Sequence, residues 1–177
     1  MTSYGMPYFL EDKTGRLSGT EYVDIHDRLH YLYRCTARST SHSTYMIFSA
    51  SSPSEPLMAL NFGPKNALGS VSFSSQACYP MHQYLAKVST PSGRAWKFVA
   101  RDGQEYLWRW RSQANQEWTC TNPQGYLIAY YSLQTPGEPQ YHESSGCSLT
   151  IEEPFPHLAP EMLGTLMVLR HMVEYKI

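Results

Sequence analysis

The chain of 177 residues has the length of one domain with a substantial core, since a chain of this size buries roughly 70% of its unfolded surface. Apolar residues make up 42% of the sequence, which excludes a wholly disordered chain. Charged residues contribute only 16%, and the formal net charge is −1. A general nucleic-acid binder needs a strong positive field, so we expect no nucleic-acid partner.

The first residues, "MTSYGMPYFLEDKTG", contain no basic segment followed by an apolar run, so no secretory signal is predicted. No window approaches the ~20 apolar residues that a membrane-spanning helix needs, so we expect no transmembrane span. These features predict a cytoplasmic protein with a single domain over 1–177, in which residues 1–19 form a peripheral segment.

Short β-like runs recur along the chain, separated by clusters of Gly, Pro, Ser, Asn and Asp. Many short strands with regular turn signals are typical of an all-β sandwich or barrel. The predicted strands lie near Tyr22–Ile25, His30–Thr36, Thr44–Ala50, Leu57–Phe62, Ser70–Phe73, His82–Ser89, Ala95–Arg101, Glu105–Ser112, Glu117–Thr121, Tyr126–Ser132 and Cys147–Ile151.

One hairpin is predicted in detail, in the stretch "AWKFVARDGQEYLWRWR". Asp102-Gly103 favours a two-residue type I′ turn between the two strands, and this register places Val99 opposite Tyr106. Side chains alternate along a strand, so each face of the hairpin is expected to mix aromatic and cationic side chains. The two expected faces are Lys97, Val99, Tyr106, Trp108 and Trp110, and Trp96, Phe98, Leu107, Arg109 and Arg111.

The C-terminal stretch "APEMLGTLMVLRHMVEYKI" breaks the β pattern and predicts a helix over 160–176, with Pro160 and Glu161 as favourable first-turn residues. Its apolar residues surround the helix axis, which is typical of a buried helix. About twelve strands can surround a helix, whereas eight leave room only for side chains. The predicted fold is therefore mainly β: an antiparallel β-barrel of about 12 strands that encloses, or packs on, the C-terminal helix.

This combination resembles the tubby C-terminal-like fold, which the phospholipid scramblases and the plant LURP-one-related proteins share. The chain is most similar to a fungal family of tubby-like domains of unknown function. In that family a Gly-x-x-Tyr-x-Trp-Arg hairpin strand precedes the final apolar helix. Here the matching residues are Gly103–Arg109, followed by Leu166–Tyr175. The resemblance covers roughly residues 20–177 and implies the barrel-and-helix fold.

The resemblance implies little about function. Tubby proteins bind phosphoinositide head groups through a basic pocket, and this sequence has no Lys/Arg cluster that would form one. Scrambling activity is associated with proline-rich, cysteine-rich and calcium-binding segments, which this sequence lacks. Neither activity is therefore transferred to this chain, since function depends on the site and not on the fold.

The predicted ligand-contacting residues lie on the hairpin. Arginine interleaved with aromatic residues also occurs in single-stranded nucleic-acid grooves, but the missing positive field argues against that use here. If these side chains point inward, the arginines can bind an anionic group and the rings can line an apolar cavity. The candidate ligand-binding residues are Trp96, Tyr106, Trp108, Arg109 and Arg111.

Two candidate catalytic residues, Arg170 and His171, lie on the predicted buried helix. A buried charge needs a partner, so the simpler interpretation is a salt bridge or a capping contact near the barrel mouth. The alternative is a polar patch between helix and barrel wall, where His171 can act as a general acid or base. No phosphate loop, dinucleotide-binding or zinc-protease motif is present, so no cofactor and no metal site are predicted.

Three functions are consistent with these features. The first is a non-catalytic binding or scaffold barrel whose partner is a hydrophobic small molecule or a lipid. The second is a cofactor-independent cyclase or isomerase that acts on a small apolar metabolite through a few Arg, His and Tyr donors. The third is a structural or interaction protein whose barrel is completely filled.

Overall fold

The computed structural model describes residues 5–73, 77–91 and 93–177. This part of the chain forms one antiparallel sheet of thirteen strands. The strands are β1 (Tyr8–Asp12), β2 (Gly19–Asp24), β3 (His30–Arg38), β4 (Ser43–Ser49), β5 (Ser52–Phe62), β6 (Leu68–Phe73), β7 (Cys78–Pro80), β8 (Ala86–Thr90), β9 (Gly93–Val99), β10 (Glu105–Trp110), β11 (Trp118–Thr121), β12 (Leu127–Ser132) and β13 (Cys147–Ile151). The α-helices are α1 (Met81–Tyr84) and α2 (Ala159–Tyr175). The prediction of a mainly β fold with a C-terminal helix is confirmed.

The sheet is barrel-like, but hydrogen bonds do not close it. Its strand order is β7-β6-β5-β4-β3-β2-β1-β13-β12-β11-β10-β9-β8, so every pair of neighbouring strands is consecutive in the chain except β1 and β13. The edge strands β7 and β8 do not pair with each other in the described residues. The short helix α1 and Leu85 connect these two edges directly. The barrel therefore has a seam between β7 and β8, and α1 lies at that seam.

The sheet curls around α2, because strands from distant parts of its order contact the helix. In β10, the Trp108 Nε1 atom donates a hydrogen bond to Thr165 Oγ1 at 2.9 Å. In β5, the Phe62 ring stacks on the ring of His171 with 3.8 Å between centroids. Strands β5 and β10 lie in opposite halves of the sheet, so the helix lies inside the curled sheet.

The all-round apolar surface of α2 explains this enclosure. Met167, Val168 and Leu169 are at most 1% exposed, although consecutive residues of a helix point about 100° apart around its axis. Burying each such side chain stabilises the fold by roughly 1.5–3 kcal/mol. A flat sheet would cover only one side of the helix, whereas a curled sheet covers all sides.

The predicted register of the hairpin is wrong by one residue. Val99 pairs with Glu105, and Trp96 pairs with Trp108. The connecting loop has three residues instead of two, and its last residue, Gly103, adopts a left-handed φ of 79°. Asp102 favours this longer loop, because its Oδ1 atom accepts a hydrogen bond from the backbone N–H of Gln104 at 2.9 Å.

The corrected register separates the two kinds of side chain that the sequence prediction had mixed on each face. The aromatic side chains of the hairpin now lie together on the buried inner face, as Trp96, Phe98, Tyr106 and Trp108. Lys97, Val99, Leu107 and Arg109 lie on the other face, where they are partly or fully exposed.

Two further predictions need correction. The segment 1–19, predicted to be peripheral, contains β1, which pairs with β2 and β13 and places Leu10 and Asp12 in the core. The five residues of β1 show no clear alternation of apolar and polar side chains. The second partner of β1, strand β13, is distant in the sequence, so the pairing could not be seen locally. The strand predicted near His82–Ser89 begins as α1 and becomes β8 only at Ala86, and β7 was not predicted at all.

Within the described residues, no helix has the length and apolarity needed to cross a bilayer.

The bond between Trp108 and Thr165 tests the enclosure of α2. Thr165→Val preserves the side-chain shape but leaves the buried Trp108 N–H without its acceptor, so we expect the free energy of unfolding to fall by about 1–3 kcal/mol. Thr165→Ser keeps the hydroxyl and should cost about 1 kcal/mol or less. Urea unfolding monitored by tryptophan fluorescence measures both variants. Equal stability of the Val variant and the wild type would contradict this role of the bond.

Candidate functional site

Two pockets lie near opposite ends of α2. The seam pocket, of about 330 Å³, lies beside α1 and is lined by Phe73, Ala77, Tyr79, Gln83, Tyr84, Val99, Ala100 and Arg101. The C-terminal pocket, also of about 330 Å³, is lined by Gly15, Arg16, Leu17, Glu117, Arg170, Val173, Glu174 and Tyr175. The helix residues that lie nearest to them, Glu161 and Arg170, are about 14 Å apart along the helix axis.

Three aromatic rings form the apolar part of the seam pocket. Tyr79 and Tyr84 stack with 5.8 Å between ring centroids. Phe73 meets Tyr84 edge to face at 5.7 Å and Tyr79 at 6.3 Å. Tyr79 is 45% exposed and Val99 is 55% exposed, so this cluster leaves apolar surface open to solvent. The rings belong to β6, β7 and α1, and the seam of the sheet brings these elements together.

The polar groups of the seam pocket are Arg101 and the hydroxyl of Tyr84. The guanidinium of Arg101 lies 5.3 Å from the centroid of the Phe73 ring. The Tyr84 hydroxyl donates to Glu161 Oε2 at 2.5 Å, and the backbone N–H of Arg101 donates to Glu161 Oε1 at 2.9 Å. Burial and the neighbouring Glu161 carboxylate raise the pKa of Tyr84 well above its usual value. Glu161, from the first turn of α2, therefore holds both sides of the pocket in place.

The C-terminal pocket is built on a buried ion pair between α2 and β1. Arg170 Nη1 lies 3.5 Å from Asp12 Oδ2, and Arg170 Nη2 donates to the carbonyl oxygen of Gly15 at 2.9 Å. The guanidinium also lies 4.7 Å from the centroid of the Tyr131 ring. The pKa of Arg170 is raised by the surrounding Tyr131, Tyr22 and Asp12, despite burial, so this side chain remains a cation.

Asp12 is the acceptor at the centre of a buried hydrogen-bond network. Its Oδ2 atom accepts from the hydroxyls of Tyr131 at 2.8 Å and Tyr22 at 3.1 Å. Its Oδ1 atom accepts from Thr20 Oγ1 at 2.6 Å and from the backbone N–H of Gly15 at 2.8 Å. Burial raises the pKa of both tyrosines, so both hydroxyls stay protonated and donate. Four neutral donors and one cation thus compensate the buried carboxylate.

Glu117 is the carboxyl group of the C-terminal pocket that has no such compensation. Its backbone lies between two strands, since its carbonyl accepts from the Arg111 N–H and its own N–H donates to the Tyr131 carbonyl, both at 2.8 Å. Its Oε2 atom is buried and has no hydrogen-bond partner among the described residues. Burial raises the pKa of this carboxyl group, although Arg170 and Arg111 act in the opposite direction.

The structure does not bring the five predicted ligand-binding residues to one cavity. Trp108 and Tyr106 lie in the packed interior, where the Tyr106 hydroxyl donates to Asp102 at 2.6 Å. Trp96 is buried against Trp118, with 5.6 Å between ring centroids. The two arginines lie elsewhere. Arg109 donates to Thr121 at 3.0 Å, and Arg111 is exposed beside a pocket of about 440 Å³ that also contains Glu117.

The two predicted catalytic residues point to different environments. Arg170 lines the C-terminal pocket and forms the ion pair that the simpler interpretation had anticipated. His171 is buried, its ring stacks on Phe62, and its Nε2 atom lies 2.8 Å from the carbonyl oxygen of Asn66. Burial lowers the pKa of His171, so the neutral ring is favoured.

Sequence reasoning did not find several residues of these pockets. The missed residues are Asp12, Phe73, Tyr79, Tyr84, Arg101, Glu117 and Glu161. Asp12 lies two residues after Leu10, the last residue of the apolar run "YFL", and therefore on the same face of a strand; this spacing is the one local signal that could have identified it. The others lie on separate strands and helices, and only the sheet order brings them together.

No family model matches the chain, and neither the curated proteins nor the solved structures contain a match. The resemblance to tubby-like domains therefore stays a prediction.

The Asp12–Arg170 pair should be a major contributor to stability. Asp12→Asn removes the charge that compensates a buried guanidinium, so we expect the free energy of unfolding to fall by about 3–5 kcal/mol. Glu11→Gln is the matched control, because the neighbouring Glu11 pairs with Lys13 at a partly exposed position and should change stability by about 1 kcal/mol or less. Urea unfolding of both variants measures the difference. Similar losses in the two variants would contradict the central role of Asp12.

The unpartnered Glu117 should destabilise the fold as the pH rises. Its folded-state pKa is raised, so the stability that its protonated form contributes is complete below the unfolded pKa and is lost as the pH rises through the folded pKa. Glu117→Gln cannot ionise, so we expect it to match the wild type near pH 4 and to exceed it near pH 8. Urea unfolding at both pH values measures this change. Glu174→Gln changes an exposed carboxylate of the same pocket, so its stability relative to the wild type should not depend on pH. The same pH dependence in both variants would contradict our interpretation.

Proposed function

We propose that this protein is a non-catalytic binding protein that holds a hydrophobic small molecule with one anionic group in the seam pocket. The observation that carries the proposal is a partly exposed aromatic cluster with one guanidinium beside it. Small-molecule sites are typically apolar clefts with a few polar groups that fix the orientation of the ligand. The seam pocket has this composition.

The apolar body of the ligand would bind against Phe73, Tyr79 and Tyr84. Aromatic rings favour flat or chain-like apolar groups, because such groups cover a large area at a small cost in side-chain entropy. Tyr79 and Val99 are both about half exposed, so a ligand that covers them removes apolar surface from water. The volume of about 330 Å³ fits one such body and not a complete two-chain phospholipid.

The anionic group would bind Arg101. Its guanidinium is exposed, and no described carboxylate lies within ion-pair distance of it. An arginine held over an aromatic ring keeps its forked donors available for a carboxylate or sulfonate. The ligand class is therefore an amphipathic acid, which agrees with the hydrophobic or lipid-like partner expected from the sequence.

The pocket has the rigidity that a binding site needs. Glu161 accepts hydrogen bonds from the Tyr84 hydroxyl and from the backbone of Arg101, so one buried carboxylate fixes α1 relative to the end of β9. Groups that are already fixed lose little conformational entropy when a ligand binds. The anionic ligand would lie beside Arg101 and not beside Glu161, whose two oxygens already have donors.

The alternative function, a cofactor-independent cyclase or isomerase, has less support. The feature expected for that reaction is an open cavity into which His171, Arg170 or Arg109 points. Arg170 lines the C-terminal pocket, whereas the ring of His171 stacks in the core and Arg109 donates to a threonine on the neighbouring strand. The donors needed for such chemistry are thus distributed over separate environments.

Binding of 8-anilinonaphthalene-1-sulfonate tests the proposal, because this fluorescent probe combines an apolar aromatic body with a sulfonate. We expect Val99→Asp and Arg101→Gln each to weaken its affinity about tenfold, through charge repulsion in the first variant and loss of the cation in the second. Nuclear magnetic resonance of the amides of Ala77, Tyr79 and Arg101 should show the probe at this pocket.

Two matched variants serve as controls. Lys97→Gln removes an exposed cation outside the pocket, and Tyr126→Ala removes an exposed aromatic ring outside it. Both should bind the probe as the wild type does. Failure of the wild-type protein to bind the probe, or equal losses in the pocket variants and the controls, would overturn the proposal.

A further inference from the structure

The C-terminal pocket contains a feature that the proposed function does not use. Glu117 Oε2 is buried without a hydrogen-bond partner in the part of the chain that the structure describes. Buried polar atoms in folded proteins are almost always paired, so an unpaired one needs an explanation. Glu117 lines the C-terminal pocket and also the adjacent pocket of about 440 Å³, so a ligand can approach its carboxyl group.

The groups around this carboxyl group are mostly cationic. Arg170 of α2 and Arg16 of the loop between β1 and β2 line the same pocket, and Arg111 lines the adjacent one. Opposite charges come from Asp12, which is already paired with Arg170, and from the exposed Glu174 at the end of α2. The phenol of Tyr175 also lines the pocket. Counted over both pockets and the paired Asp12, three guanidinium groups and two other carboxylates surround Glu117, so its surroundings are net positive when Glu117 is protonated.

A protonated Glu117 is a hydrogen-bond donor that lacks an acceptor. The guanidinium of Arg170 also has donors to spare, since it carries five N–H groups and its oxygen contacts are with Asp12 and the carbonyl of Gly15. Two donors and a net positive charge fit an oxyanion, because its oxygens can accept from both groups at once. A cationic ligand would instead meet the guanidinium groups of Arg16 and Arg170.

We propose that the C-terminal pocket is a second binding site, which takes up a small organic anion together with a proton on Glu117. The carboxyl group of Glu117 donates to one oxygen of the anion, and Arg170 donates to another. Ionised Glu117 repels the same anion and withdraws its donor. Binding at this site is therefore linked to protonation of Glu117, whereas the proposed binding at the seam pocket relies on the exposed guanidinium of Arg101.

The volume of about 330 Å³ sets the size of the ligand. It fits a carboxylate, sulfonate or phosphate monoester with a small body of one ring or a few carbon atoms. Val173 and Leu17 supply the apolar part of the lining, so the ligand needs less apolar surface here than in the seam pocket. The two sites can thus be occupied independently, and the failure of either proposal leaves the other intact.

Benzenesulfonate is the probe for this site, because it stays ionised over the whole pH range of the experiment. We expect its affinity for the wild-type protein to increase about tenfold from pH 8 to pH 5, as Glu117 takes up its proton. Amide resonances of Gly15, Arg16 and Leu17 report binding at the C-terminal pocket, whereas those of Ala77, Tyr79 and Arg101 report binding at the seam pocket.

Glu117→Gln is the decisive variant, since its amide keeps a donor and cannot ionise. It should bind benzenesulfonate at pH 8 about as tightly as the wild type does at pH 5, without pH dependence. Glu174→Gln should retain the pH dependence, because that carboxylate is exposed at the edge of the pocket. Circular dichroism confirms that both variants are folded.

Three results would overturn the proposal. The first is no binding of the probe at pH 5 in the resonances of Gly15, Arg16 and Leu17. The second is binding with the same affinity at pH 5 and pH 8. The third is a pH dependence that persists in Glu117→Gln and disappears in Glu174→Gln. That result would show that Glu174, and not Glu117, takes up the proton.

Discussion

The enclosure of α2 is the constraint on which the rest of the structure depends. A helix with apolar residues on every side has no stable position on a sheet that covers one side only. Thirteen antiparallel strands curl around it, and their inward side chains meet the helix from β5, β10 and other strands of the order. The curled sheet is left open between the edge strands β7 and β8, and α1 lies at this seam.

Both candidate sites follow from the two ends of the same helix. At its first turn, Glu161 is buried and fixes Tyr84 and the backbone of Arg101, which shapes the seam pocket. Near its last turn, Arg170 requires a counter-charge, and Asp12 of β1 supplies it. Polar groups that anchor the helix in an apolar interior thus also place donors beside the two pockets. Leu163 and Leu166, in the middle of the helix, have no solvent exposure, and both candidate pockets lie near its ends.

Glu117 is the residue in which fold stability and the proposed second binding site would oppose each other. Its carboxyl group is buried without a partner, and its raised pKa means that ionisation destabilises the fold. Asp12, which is buried even more completely, has donors on both oxygens and a cation beside it. The contrast between the two carboxyl groups separates the structural role of Asp12 from the ligand-linked role that we propose for Glu117.

The sequence by itself determined the mainly β class, most strand positions and the buried helix, because alternation, turn residues and all-round apolarity are local patterns. It did not determine the hairpin register, since Asp102-Gly103 is compatible with loops of two or three residues and a shift of one reverses every side chain. The positions and the lining residues of the two pockets were decided only by the tertiary structure. Asp12, Glu117 and Arg170 lie on β1, before β11 and on α2, and no local pattern records that the curled sheet brings these distant positions together.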